Sequence, residues 1–183
     1  VNKTVITIPT SDTKVSAQLI DKDFDEQTLR QSLIANIKDL KTSDVAILKL
    51  DSGSNYPIST LGGLNEQNNS NPNSGSTILV TAMGFPGFVD GGLTTKKDTT
   101  IPSATQGKIL GVESIAENKY RLIDTNVPAA QGNSGGPAFA EDGSIIGLVT
   151  YVDPGASAKS GKESFATSSI LRDVSDVKSL LEK

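Results

Sequence analysis

The chain of 183 residues contains no cysteine and no histidine. The first absence excludes disulfides and thiolate chemistry and leaves the redox compartment unread. The second removes, from within these residues, the usual general base near neutral pH and the commonest transition-metal ligand. With neither group present, no metal site and no cofactor is expected. Tryptophan is also absent and aromatic residues amount to 4%, so the core has to be aliphatic. Leu, Ile, Val and Phe supply about a quarter of the chain, which is enough to build a core and too much for a disordered polymer. No apolar run approaches the ~20 residues of a membrane-spanning helix, and no signal peptide or lipidation motif is visible in these residues. The net charge of −4 argues against a nucleic-acid partner.

What is present is mostly short runs of period-two apolar alternation. Residues 5–8, 15–20, 45–50, 78–83, 107–112, 120–124, 137–140, 145–151 and 164–167 read as strands. Gly, Asn, Asp, Pro and Ser clusters between them favour turns. This pattern predicts an all-β fold, a sandwich or barrels. Two stretches have helical spacing instead. Leu29, Leu33, Ile37 and Leu40 share one face of a helix that Asp23 or Asp25 could cap. Ile170, Val174, Val177 and Leu181 form a second stripe, with Ser168 or Ser169 as the cap and Asp173 in the first turn. Residues 65–76 are wholly polar and divide a shorter front part, 1–64, from a longer back part, 77–183.

The informative segment is QGNSGGPAF at 131–139. Glycine around Ser134 permits backbone angles closed to other residues and lets a substrate approach the main chain. A serine on such a turn can expose its Oγ, and the N–H groups of Gly132 and Ser134 could converge on one oxygen as an oxyanion hole. A bare GxSxG also describes an ordinary glycine turn, and it describes the nucleophile elbow of α/β-hydrolases. The elbow needs a helix directly after the serine and a later histidine. Here Pro137 and a strand-like segment follow, and no histidine exists.

The longer string GNSGGP resembles the nucleophile segment of the chymotrypsin-like serine proteases, and more narrowly their bacterial HtrA (Deg) branch, in which Asn precedes the serine. TSDVAILKL at 42–50 is similar to the strand bearing that family's catalytic aspartate, which puts the role on Asp44. ILVTAMGFPGF at 78–88 and TQGKIL at 105–110 resemble early strands of the second barrel. GLVTY at 147–151 is similar to the strand along which substrate lies, and residues 164–167 to the strand beside the specificity pocket.

The resemblance implies a trypsin-like double β-barrel with an incomplete first barrel in 1–64, a polar connection at 65–76, and the second barrel with a C-terminal helix in 77–183. It implies a serine endopeptidase acting on polypeptides. Ser134 would be the nucleophile and Asp44 the residue orienting a histidine, with Gly132 and Ser134 as the oxyanion hole. Substrate would pair with Thr150, Tyr151 and Val152, and the pocket would involve Pro128, Val152 and Ser164, favouring a small or aliphatic residue before the cleaved bond. An extracytoplasmic location goes with that branch. The oligomeric state is not written in the sequence.

The chain departs from the family in three ways. The family's histidine precedes the aspartate, and residues 3–8 and 15–20 resemble the strands that follow it. The retained Asp44, Ser134 and glycines favour a piece of a longer protease, inactive alone, over a divergent pseudoprotease that binds peptides without cleaving them. The helix near 25–41 and the polar loop at 65–76 read as insertions. Asn133 stands where many members carry an aspartate that binds a newly freed amine, so no such activation switch is expected.

Overall fold

A computed structural model describes residues 3–8, 13–24, 42–51, 56–64, 78–86, 88–89, 92–93, 102–130, 132–152 and 168–183. Among these residues eight of the nine period-two segments become strands, 164–167 lying outside the described residues, and three further strands and one helix complete the described elements. In the front part, β1 (Lys3–Ile8), β2 (Thr13–Asp23) and β3 (Val45–Leu50) form an antiparallel sheet in that order. Lys3 opposes Gln18 on β2, and Ala17 opposes Leu50 on β3. Between Leu19 and Asp21 the register shifts, leaving Ile20 as an extra residue in β2. An extra residue of this kind bends the strand and increases its twist.

In the back part, six strands close into a barrel: β4 (Leu79–Gly84), β7 (Ser103–Ile115), β8 (Tyr120–Thr125), β9 (Pro137–Phe139), β10 (Ile145–Val152) and β11 (Ser169–Asp173). Around the barrel the order is β10, β11, β8, β7, β4, β9, with every adjacent pair antiparallel. Closure removes the unpaired edges of an open sheet. The barrel is filled by Val80, Ala82, Ile123, Val127, Ala129, Ala138, Ile146, Val149 and Leu171, all buried. This is the aliphatic core that the scarcity of aromatics requires. A short pair, β5 (Phe88–Val89) with β6 (Gly92–Leu93), lies outside the barrel; no sequence signal marked it.

The β7–β8 hairpin closes with Lys119 N–H donating to the Ala116 carbonyl at 3.1 Å. Glu117 and Asn118, the two central residues, have φ of +59° and +67°. Two positive φ values give the turn the twist that matches its strands. The turn delivers Tyr120 directly into β8.

The C-terminal helix α1 runs Val174–Leu181, which corrects the expected start at 168–170. Ser169–Asp173 is a strand because it pairs with β8 on one side and β10 on the other. Those tertiary hydrogen bonds override a helical stripe that local spacing alone suggested. Asp173, not Ser168 or Ser169, is the N-cap, its carboxylate accepting from Ser175 N–H at 2.8 Å. The helix packs on β8, β10 and β11 of the barrel and on β2 and β3 of the front sheet, so it holds the two parts together. The helix expected near 25–41 and the polar connection at 65–76 lie outside the described residues.

Candidate active site

Ser134 sits on a pair of tight turns between β8 and β9. The Ala130 carbonyl accepts from Asn133 N–H at 3.0 Å, and the Asn133 carbonyl accepts from Gly136 N–H at 2.9 Å. In each turn the third residue is a glycine with positive φ, +99° at Gly132 and +82° at Gly135. That is the position where a type II turn requires it. Gly136 has a different reason to lack a side chain: a Cβ there would collide with the Met83 carbonyl oxygen.

The turn is pinned to β10 by reciprocal bonds. Gly135 N–H donates to the Val149 carbonyl at 2.7 Å, and Val149 N–H donates to the Gly136 carbonyl at 2.9 Å. Ser134 is left exposed at the tip. Among the described residues, the amides of Gly132 and Ser134 donate to no main-chain carbonyl. Asn133 faces inward, is 1% exposed, and among the described residues neither of its side-chain amide atoms has a hydrogen-bond partner.

Thr150, Tyr151 and Val152 follow Val149 on β10, so the structure brings them beside the serine turn. β9 pairs with β10 only from Ile145 to Leu148. From Thr150 onward, β10 pairs with β11 on one side, and no described strand lies on the other. Tyr151 packs against the small cluster of Ile115, Tyr120 and Leu122. The Pro128 carbonyl accepts from Thr105 Oγ1 at 2.6 Å, which anchors the segment leading into the turn. Ser164 lies outside the described residues.

Asp44 precedes β3 and is held differently. It has φ +54°, a left-handed conformation that costs a non-glycine residue energy, though least for Asp and Asn. Its N–H donates to the Asp23 carbonyl at 2.9 Å. Burial pushes the Asp44 carboxyl above its ordinary value, and the positive charge of Arg172 partly offsets this. Arg172 is wholly buried, its guanidinium 3.5 Å from Asp176 and without a close hydrogen bond. Asp23 is subject to burial that raises its pKa, but hydrogen bonds from Tyr120 and Ser43 outweigh this and leave it below its ordinary value. Sequence reasoning singled out Asp44 but neither Tyr120 nor Arg172, and it took Asp23 only for a helix cap. Their link to Asp44 spans most of the chain, and no local pattern announces it.

Among the described residues no group of three or more carboxylates is placed to hold a metal ion. The comparisons with known proteins bear on this geometry. The trypsin-like peptidase domain model matches residues 2–148. The chain is 28% identical over 136 residues to a probable periplasmic serine endoprotease, DegP-like, of Pseudomonas fulva, covering 73% of this chain and 24% of that protein. A DegP-like relative of the same description from Pseudomonas fluorescens is 34% identical over 113 residues, covering 60% of this chain and 20% of that protein. The chain thus spans about a quarter of these relatives or less. In fold it is similar to the HtrA-type protease AlgW bound to a decapeptide, with TM-score 0.60 and 20% identity over 99% of this chain and 44% of that one. It is similar also to the inactive form of a serine-to-alanine mutant of Rv3671c from M. tuberculosis, with TM-score 0.55 and 16% identity over 94% of this chain and 66% of that one. A family match across most of the sequence, on a closed barrel that carries an exposed serine on a glycine turn, means that the chain belongs to the trypsin-like peptidase domain family, with relatives in its HtrA, DegP-like branch.

Proposed function

We propose that the protein is a serine endopeptidase in which Ser134 Oγ attacks the scissile carbonyl. A histidine outside these residues takes the serine proton, and Asp44 orients that histidine. The Gly132 and Ser134 amides hold the oxyanion. A polypeptide substrate adds as an extended strand to the open edge of Thr150–Val152, as in β-augmentation. Pro128, Val152 and Ser164 shape the pocket for a small or aliphatic residue. The protein works outside the cytoplasm, as the name of its DegP-like relatives says of them.

The observation that supports this reading is the reciprocal bonding of the serine turn to Val149, by which exposed Ser134 lies near the β10 edge. The test uses the full-length gene product and casein. Hydrolysis is expected and is abolished by Ser134→Ala, while the 183-residue chain alone leaves Ser134 unlabelled by a fluorophosphonate, since it has no base. Equal hydrolysis with and without Ser134 overturns the reading.

The absence of histidine from these residues favours a second reading, a peptide-binding module on the same fold. In that case the full-length protein binds an extended peptide at the β10 edge and cleaves nothing.

A further inference from the structure

Asp44 adopts its left-handed backbone, φ +54°, against an intrinsic preference, so something must over-determine it. That something is one residue. Asp23, the last of β2, accepts from Asp44 N–H through its carbonyl at 2.9 Å. The same carbonyl accepts from Ser43 Oγ at 3.4 Å, and the Asp23 carboxylate accepts from Ser43 N–H at 3.2 Å. Asp23 therefore templates two successive residues with both its main chain and its side chain.

The template is fixed from the other part of the molecule. Tyr120, the first residue of β8, donates its hydroxyl to Asp23 Oδ2 at 2.8 Å, the same oxygen that receives Ser43 N–H. Tyr120 is 4% exposed and packs with Ile115 and Leu122. The Lys119 ammonium lies 4.7 Å, and the Arg172 guanidinium 5.9 Å, from its ring centroid. Its position is thus set by the second barrel, not by the loop that it contacts.

We propose that Tyr120 is a positioning residue for Asp44, acting across the junction of the two parts through Asp23. The inference rests on the reading of Asp44 as the carboxylate that orients a histidine. Without the Tyr120 hydroxyl the Asp23 carboxylate is free to turn, Ser43 N–H loses its acceptor, and the Asp44 backbone relaxes. Arg172, whose charge offsets the burial of Asp44, stands beside the same ring.

Amide hydrogen exchange tests this on the 183-residue chain. Tyr120→Phe keeps the ring and its packing, and exchange at Ser43 and Asp44 is expected to speed up about tenfold, the loss of one charge-assisted bond. Ile123 and Val149, in the barrel core, keep their protection and serve as the control for folding. Asp23→Asn retains an acceptor oxygen but loses its charge, and its rates fall between wild type and Tyr120→Phe. Asp23→Ala reproduces the Tyr120→Phe effect, and adding Tyr120→Phe to it changes nothing further. In the full-length enzyme Tyr120→Phe lowers kcat about tenfold and leaves KM unchanged. Unchanged exchange at Ser43 and Asp44 overturns the proposal, as does faster exchange with unchanged kcat. If exchange speeds up but the full-length protein has no activity dependent on Ser134, the link from Tyr120 to Asp44 stands and the protease reading fails.

Discussion

Arg172 lies 3.5 Å from Asp176, and both side chains are sealed from water, with 0% and 5% of their surface exposed. Arg172 is the last residue but one of β11, and Asp176 lies in the first turn of α1. The pair therefore sits where the helix joins the barrel. Burial pushes the Asp176 carboxyl up to about 6, against the pull of Arg172 and with a further push from Asp173.

This makes stability depend on pH in a direction opposite to that of a surface ion pair. Folded Asp176 holds its proton at pH values where the unfolded chain has released it. Stability from this group is complete below about pH 4 and is lost as pH rises through about 6, up to about 3 kcal/mol in all. Asp176→Asn cannot titrate. Urea unfolding at pH 4 and pH 7 should show the variant gaining on the wild type by up to that amount, and a difference independent of pH would refute the assignment.

Removing one partner of the pair should be worse than removing both. Arg172→Met leaves Asp176 and half-buried Asp44 without the buried cation that faces them and is expected to cost about 3–5 kcal/mol at pH 7. Arg172→Met combined with Asp176→Leu removes the charge imbalance and should recover most of that loss. The check is chemical denaturation of both variants, with equal destabilisation as the outcome that counts against the argument.

Asn133 is buried with no partner for its amide among the described residues. Asn133→Asp places a carboxylate in the same enclosure, where neither amide atom finds a partner among those residues. The expected cost is about 3 kcal/mol at pH 7, shrinking as the pH falls and the carboxyl becomes neutral. Melting temperatures across pH 5 to 8 test this, and a flat profile would argue against it.

The serine turn separates two glycine effects. A Cβ at Gly135 meets open space, so Gly135→Ala suffers only the backbone penalty of its positive φ, about 1 kcal/mol. At Gly136 a Cβ would strike the Met83 carbonyl and lie 2.8 Å from the Asn133 carbonyl. Gly136→Ala must therefore move the turn and should cost about 3 kcal/mol. In the full-length protein it should also lower activity more than Gly135→Ala does. Thermal unfolding ranks the two, and the reverse order would contradict this geometry.

Most strands were legible because their signal is local. A period of two in β3, β4, β8 and β10 survives in any fold that buries one face of each strand. The serine turn was legible for a similar reason, since glycines at fixed offsets are what two type II turns need. Ser169–Asp173 was misread because Ile170, Val174, Val177 and Leu181 fit a helical stripe equally well, and only pairing with β8 and β10 distinguishes the two. Ser164 and the stripe from Leu29 to Leu40 fall outside the described residues.

By itself the sequence determined an aliphatic all-β protein, the exposed serine on its glycine turn, and the aspartate that opens β3. Each of these depends on a few neighbouring residues, because turn angles and face alternation are short-range properties of the backbone. Only the tertiary structure decided what surrounds Asp44. Tyr120 reaches Asp23 across 97 residues, and Arg172 approaches Asp44 from β11. A hydrogen bond or a charge acts through space, and barrel closure and the packing of α1 determine which distant residues share that space.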